Sequence, residues 1–485
     1  MVSEIKIKRL ESSKTLFKSS VLVVSFMYSS FLGALIMPRY LDYISPDTFG
    51  VIGIATMISN LVMMFEFGVG AVLVNKLSSD ISDNDRSNYL FASFNIYFSG
   101  IVVLSSLVIL NSTYIIEYFF HNLEDSGKVL LIILLMSYVR ILTIPYQSFL
   151  IAERALYHIA FEKFIYNTLK FGGGLGLIIG GGNVTEYLIL QLVINCLSLM
   201  IFYIWCRKIK FSKLDFRSNL SYLKTLFSSG WIVTYSMSVW MLYTHVDKII
   251  YVGKLNLADY GYFMLLNTLV GAAISVSAPL MQIVVPILNQ SSFISRDLTS
   301  FYSYCCLISF AAITFILSNS EFLISLWLPD VDARNWILEY IDDYVYYIFF
   351  TILLSFPYFV LLTQDKLNYH ANLHTFFLFA AVPIVLGISF FFEIDVLAKY
   401  WKFSSLFILI FWAGYVFKKV LNISFLVQIV YLVIPFCICN FLTPMIDIIT
   451  TNHSYTAIFH TLLISLIFWF LYFFFVKKMN GLIHE

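Results

Sequence analysis

Apolar runs of roughly twenty residues recur along almost the whole chain. Each is long enough to cross a bilayer core of about 30 Å as a helix rising about 1.5 Å per residue. Charge is the exception inside them. Between Asp47 and Lys76 the one charged residue is Glu66, set in MMFEFGVGAVLVNK, residues 63–76. Hydrophobic residues fill 60% of the 485 positions and charged ones 12%, where a soluble domain carries about 25% charge. So much apolar sequence cannot be hidden behind a water-facing surface. The expected fold is therefore all-α, a polytopic transmembrane helical bundle. A net charge of +1 gives no footprint for nucleic acid. Met1 to Lys18 is charged and amphipathic and lacks the pattern of a cleavable signal. Cys196, Cys206, Cys305, Cys306, Cys437 and Cys439 all fall in expected spans. They have neither zinc-ligand spacing nor histidine partners, so they read as small apolar fillers, and no metal or other cofactor is expected.

Hydropathy predicts fourteen spans, near 17–37, 49–75, 89–111, 129–151, 164–182, 186–206, 226–251, 260–289, 298–318, 342–362, 372–392, 397–417, 424–446 and 455–476. The last four are the weakest, and a count of twelve stays open. With the N-terminus inside, the inner segments hold 21 Lys and Arg residues against seven in the outer ones. That bias places both termini in the cytoplasm. The longest outer loop is then 319–341, and the basic segment RKIKFSKLDFRSNLSYLK, residues 207–224, is an inner linker between spans six and seven. ISPDTFGVIG (44–53) and LNLADYGYFM (255–264) look like copies of one another, with Gly50 and Gly261 aligned 211 residues apart. Each opens the second span of a half. Six spans per half is an even number, so the halves are parallel repeats about an axis along the membrane normal. The expected division is an N-terminal lobe (1–206), a basic cytoplasmic linker (207–224), a second lobe (225–417), and two extra helices with a cytoplasmic tail (418–485).

A charge at mid-bilayer costs roughly 2.5–3.5 kcal/mol on insertion scales, so an intramembrane ionisable residue is read first as functional. Glu66 shares a small, polar helix face with Ser59 and Gly70. Two readings are open for it, a structural bond between helices and a role in transport. Arg140 is the sharper signal, as the one charge between Lys128 and Glu153, with Ser137, Thr143 and Gln147 on its face. It faces either a buried acid or a hydrated cavity, and its fork of donors suits phosphate. Lys170 follows in the next span, with Asn167 and Gly174 beside it, near enough to the cytoplasmic end to snorkel. Gln191, Asn195 and Ser198 form one polar stripe, and Asn267, Gly271 and Ser275 form another. These stripes with Arg140 and Lys170 are expected to line a polar, cationic central cavity. Asp247 and Lys248 lie side by side near the outer end of span seven, either paired at the interface or active in coupling or gating. GGGLGLIIGGG (172–182) lacks the Lys-Ser/Thr of a phosphate loop and reads as close helix packing or a bend. Large outer domains, nucleotide motifs and catalytic groupings are missing from the sequence, so an enzyme is not expected.

LDYISPDTFGVIGIATMISNLVMMFEFGVGAVLVNKLSS (41–79) resembles the N-terminal signature of Wzx-type polysaccharide exporters. DKIIYVGKLNLADYGYF (247–263) resembles that family's second signature, and PYQSFLIAERALYHIAFEKF (145–164) its segment joining spans four and five. The likeness runs over most of residues 15–420. It implies a flippase of the multidrug/oligosaccharidyl-lipid/polysaccharide (MOP) superfamily, with two six-helix lobes around a central cavity. The implied cargo is an undecaprenyl-pyrophosphate-linked oligosaccharide, an O-antigen or capsule repeat unit. The implied place is the bacterial inner membrane, beside a polysaccharide polymerase and a chain-length regulator. Arg140 and Lys170, with Gln147 and Asn267, fit the substrate-binding role. Glu66 and Asp247 fall on the motif acids. Fourteen spans depart from the commoner twelve. A multidrug antiporter of the same superfamily would favour an acidic cavity, and a polysaccharide polymerase a large outer loop rich in Arg or His.

Single cysteines at Ser218 and Asn335, probed with an impermeant thiol reagent on intact cells, test the topology. Position 335 should label and 218 should not. The opposite pattern would invert the orientation.

Overall fold

The computed structural model describes residues 21, 24–25, 27–63, 66, 68–79, 81–120, 125–207, 216–275, 295–363, 367–421, 429–449 and 455–483. These residues form helices and turns with no strand. An apolar chain in lipid has little alternative, because each main-chain N–H and C=O must find its partner within its own segment. The elements that matter below are α1 (Pro46–Met63), α2 (Val69–Ser78), α3 (Asp83–Leu110), α4 (Ser126–Ile141), α5 (Ile144–Ala152), α6 (Leu156–Asn167), α7 (Val184–Cys206) and α8 (Phe216–Val252). They continue with α9 (Leu257–Ser275), α10 (Ser295–Leu317), α11 (Ser320–Trp327), α12 (Val331–Thr363), α13 (Ile394–Ile408) and α14 (Tyr455–Ile483). Every expected span falls on helix, wholly or in part, though 276–289 lies outside the described residues. Six described helices are long and apolar enough by themselves to cross a membrane, or seven if the bent pair Tyr302–Leu317 and Ser320–Trp327 is one span. The protein is a multi-pass membrane protein.

Several expected spans are interrupted. The second breaks into α1 and α2 with Glu66 in the gap, where Gly68 takes φ +61°, a left-handed turn that glycine makes without a steric penalty. The fourth breaks between α4 and α5. Pro145 has no N–H to offer the carbonyl of Ile141, and it sits in the first turn of the new helix, where that N–H is not needed. The fifth and eleventh carry π-helical segments at Thr168–Gly173 and Phe377–Ala381. The expected outer loop 319–341 is mostly helix: α11 bends 77° away from α10, and α12 starts at Val331. The second half of the 207–224 linker is helix too. It forms the opening turns of the 37-residue α8, where Tyr222 donates to Asp85 at 2.6 Å.

Contacts divide the chain into two compact units, 1–265 with 371–390, and 266–370 with 391–485. This differs from a boundary at 206–225, because α8 packs on α1, α2 and α3. Inside the second unit α14 packs on α10. Trp469 is fully buried there and donates to Thr314 Oγ1 at 2.8 Å, and Asn319 donates to Thr461 at 2.9 Å. The last helix thus contributes to that unit's core.

Within the first unit the two repeat glycines meet. A Cβ on Gly50 would strike the main-chain oxygen of Leu257, and one on Gly261 would come 3.1 Å from that of Pro46 and 3.0 Å from the Gly50 nitrogen. Leu257 stands 211 residues after Pro46, the repeat spacing again. A Cβ on Gly53 would likewise meet Met264, its own repeat mate, at 2.9 Å. The contact is reciprocal, as across a two-fold axis. Overpacking costs roughly 1–3 kcal/mol, so Gly50→Ala and Gly261→Ala should each lower the melting temperature of the purified protein. Gly271, on the same helix α9, has open space around its Cβ position. Gly271→Ala should leave stability unchanged or raise it by about 0.5–1 kcal/mol. Equal melting of all three variants would contradict the close approach.

Candidate functional site

The break at Pro145 leaves Arg140 in the last turn of α4, beside carbonyls at the negative end of its helix, where a cation is favoured. Thr143 Oγ1 donates to the Arg140 carbonyl at 2.7 Å, and Gln147 Nε2 donates to Thr143 Oγ1 at 2.9 Å, so side chains close the interrupted ladder. The guanidinium reaches two other helices. Its Nη1 donates to Glu162 Oε1 of α6 at 3.1 Å and to Ser198 Oγ of α7 at 3.3 Å. The Ser198 hydroxyl donates to the same Glu162 oxygen. The Tyr166 ring, one turn beyond Glu162, lies 4.3 Å from the guanidinium carbon, a cation–π contact. Tyr166 Oη donates to Asn195 at 3.3 Å, which fixes the ring. Lys163 stands within electrostatic reach of both Arg140 and Glu162.

The pair is asymmetric. Glu162 is 1% exposed at its side chain and Arg140 20%. Glu162 Oε2 is buried without a hydrogen-bond partner among the described residues. Arg140 spends one nitrogen on both of its bonds. Its other two donor nitrogens have no partner among the described residues, and neither is sealed inside the protein. A guanidinium with two open donors, backed by an acid on its closed side, can accept a further oxyanion.

The other expected residues separate into several places. Gln147 is spent on Thr143, one turn along α5. Glu66 stands in the α1–α2 gap against Gly70, with no hydrogen-bond partner among the described residues, and it is not the acid that meets Arg140. Lys170 lies in the π-helical segment, its carbonyl accepting from Gln191 Nε2 at 3.1 Å. Its Nζ stands 5.4 Å from the Phe171 ring and has no ion pair among the described residues. Asp247 and Lys248 do pair, at 3.3 Å, with Lys248 Nζ also donating to the Thr244 carbonyl at 2.6 Å. Asn267 is half-buried and belongs to the second unit. Gln191, Asn195 and Ser198 are buried where α7 packs on α4 and α6. This stripe serves an interface between helices of one unit instead of lining a cavity wall. Asn195 Nδ2 closes on the Gln191 carbonyl at 2.8 Å.

Glu162 is the site residue that hydropathy misses. It precedes the expected span at 164–182, yet α6 begins at Leu156 and carries it inside the bundle. A second ion pair was equally hidden. Lys402, inside the expected span 397–417 but counted with the outer charges, lies in α13 at 3.0 Å from Asp343, with the Tyr346 ring 4.4 Å away.

The model of a family described as "Polysaccharide biosynthesis protein" matches residues 16–292, more than half of the chain, and the chain belongs to that family. Among curated proteins none matches it in sequence. Its fold is similar to that of the lipid II flippase MurJ in an inward closed conformation, at 15% identity and a TM-score of 0.59 over 88% of this chain and 97% of that one. It is also similar to an inward-facing multidrug resistance MATE family transporter of the MOP superfamily, at 10% identity and a TM-score of 0.60 over 88% and 98%. At these identities the likeness is one of fold.

Removing one partner of a buried pair costs roughly 3–5 kcal/mol, because the other charge is stranded. Arg140→Ala should therefore lower the melting temperature of the purified protein, and the double variant Arg140→Ala/Glu162→Gln should recover part of the loss. A double variant no more stable than Arg140→Ala would mean that the pair is not what holds α4 to α6.

Proposed function

We propose that this member of the polysaccharide biosynthesis protein family is a flippase. It moves undecaprenyl-pyrophosphate-linked oligosaccharide repeat units, of an O-antigen or capsule, from the cytoplasmic to the outer leaflet of the bacterial inner membrane by alternating access. The observation that carries this reading is a guanidinium held inside a membrane bundle with two donor nitrogens that have no partner among the described residues. The cargo has a sugar head that cannot cross hydrocarbon unaided and an anionic pyrophosphate that needs a cation on its way. Arg140 offers forked donors to that group. Lys170, with no ion pair among the described residues, supplies a second positive charge. Gln147 and Asn267 are the neutral polar groups assigned to the same path. Glu66, in a helix break, and the Asp247–Lys248 pair are the candidates for coupling or gating. On this reading both termini face the cytoplasm, and a polysaccharide polymerase and a chain-length regulator receive the product. The protein acts as a transporter and not as an enzyme. An ion-coupled multidrug antiporter is the second reading, favoured by the acid Glu66, which has no ion pair among the described residues.

A charge-assisted hydrogen bond is worth about 1.5–3 kcal/mol, or roughly ten- to a hundredfold in affinity. Surface polysaccharide, normalised to protein in the membrane, should fall sharply for Arg140→Ala. It should be partly retained for Arg140→Lys, which keeps the charge and loses the fork. Arg140→Glu should be worse than alanine, because it repels the anion. Normal output from both the alanine and glutamate variants would remove Arg140 from the transport path. Drug export lost in place of polysaccharide would favour the antiporter.

A further inference from the structure

We propose that Glu162 is the resident counter-anion of Arg140, and that its charge sets how strongly the two open nitrogens of the guanidinium hold the anionic phosphate group of the cargo. The inference rests on the reading of Arg140 as the cargo's anion site and assigns that site a specificity-determining residue. An acid meant to lock an arginine permanently would use both oxygens against two guanidinium nitrogens, the strong bidentate arrangement. Glu162 uses one oxygen on one nitrogen. Its second oxygen is buried with no hydrogen-bond partner among the described residues, so it leaves two guanidinium nitrogens for another anion.

The surroundings hold the guanidinium in place while a second anion binds. Tyr166 stacks under the guanidinium and is held by Asn195, so the arginine plane keeps its direction. Ser198, bonded to both members of the pair, keeps the acid against the same nitrogen of the arginine. Lys163 stands within electrostatic reach of both, and Glu162 spares the empty site the cost of an uncompensated cation.

The consequence is a threshold. An incoming group must bind beside a carboxylate that already neutralises part of the guanidinium charge. A pyrophosphate does so with several charges and paired oxygen acceptors for the two open nitrogens, whereas a monoanionic phosphodiester headgroup brings a single charge to a site the acid has already weakened. Glu162 therefore keeps abundant anionic lipids off Arg140.

Farnesyl pyrophosphate serves as the probe, its binding to the full-length purified protein in detergent followed by calorimetry, with phosphatidylglycerol as the monoanionic competitor. Glu162→Gln removes the competitor charge while keeping shape. It should tighten farnesyl pyrophosphate binding about tenfold and make that binding sensitive to phosphatidylglycerol. Glu162→Asp, which keeps the charge on a shorter arm, should give a smaller gain. In Arg140→Ala the gain should vanish, so that Arg140→Ala/Glu162→Gln binds as weakly as Arg140→Ala. Unchanged or weaker binding in both Glu162 variants, with Arg140→Ala still defective, overturns the counter-anion and leaves the flippase reading standing. Unimpaired binding by Arg140→Ala overturns the reading beneath it, whatever Glu162 does.

Discussion

Hydrocarbon does not tolerate an unmatched charge, and the architecture of the first unit follows from how that demand is met at Arg140. Pro145 stops α4 so that the arginine ends a helix. The early start of α6 brings Glu162 to meet it. The buried stripe on α7 supplies Ser198 to both, and Tyr166 floors the site. Three helices are tied by one pair. Such a pair is a poor way to gain stability, since well-packed apolar residues of similar volume are often as good or better. A chain that is 60% hydrophobic has ample means of holding three helices together without charge. The pair is better explained by what its open side can bind than by what its closed side holds.

A second constraint acts where α1 crosses α9. Lipid provides no hydrophobic drive between helices, so close contact comes from small residues that let backbones approach. Gly50 and Gly261 do this for one another, and Pro46 with Leu257 complete a reciprocal contact at one repeat spacing. The π-helical segments at 168–173 and 377–381 overlap at nearly the same spacing. The two halves share this one irregularity, whereas the π-helical segment Leu409–Ala413 falls opposite the regular helix α7 at that spacing. Local π geometry often marks functional positions, and Lys170 sits in the first of these segments.

Much of this was legible in the sequence for a physical reason: hydropathy and period are local. The apolar runs give the helices, the lone arginine in one of them announces a partner, and the aligned glycines mark the repeat. Other features depend on information a window cannot hold. Residues 156–163 carry His158, Glu162 and Lys163, so the opening of α6 reads as a loop although it lies in the bundle. The polar stripe of Gln191, Asn195 and Ser198 has the same period whether it wets a cavity or seals an interface, and here it seals one. The break at Gly68 depends on a left-handed dihedral that hydropathy does not register. Lys402 counted as an outer charge until α13 placed it against Asp343. Asn267 is grouped with Arg140 by chemistry, yet it stands in the second unit.

The central claim is that this chain carries a pyrophosphate-linked saccharide lipid across a bilayer. Its most direct measurement is made in vesicles. The purified protein is reconstituted into liposomes with a fluorescent polyprenyl-pyrophosphate oligosaccharide loaded in the inner leaflet, and arrival outside is read by capture on an impermeant lectin. Capture should rise well above that of protein-free liposomes, and inorganic pyrophosphate in excess should slow it by competing at Arg140. Capture no faster than in protein-free liposomes, across the lipid compositions and ion gradients that keep the protein folded, would contradict the account.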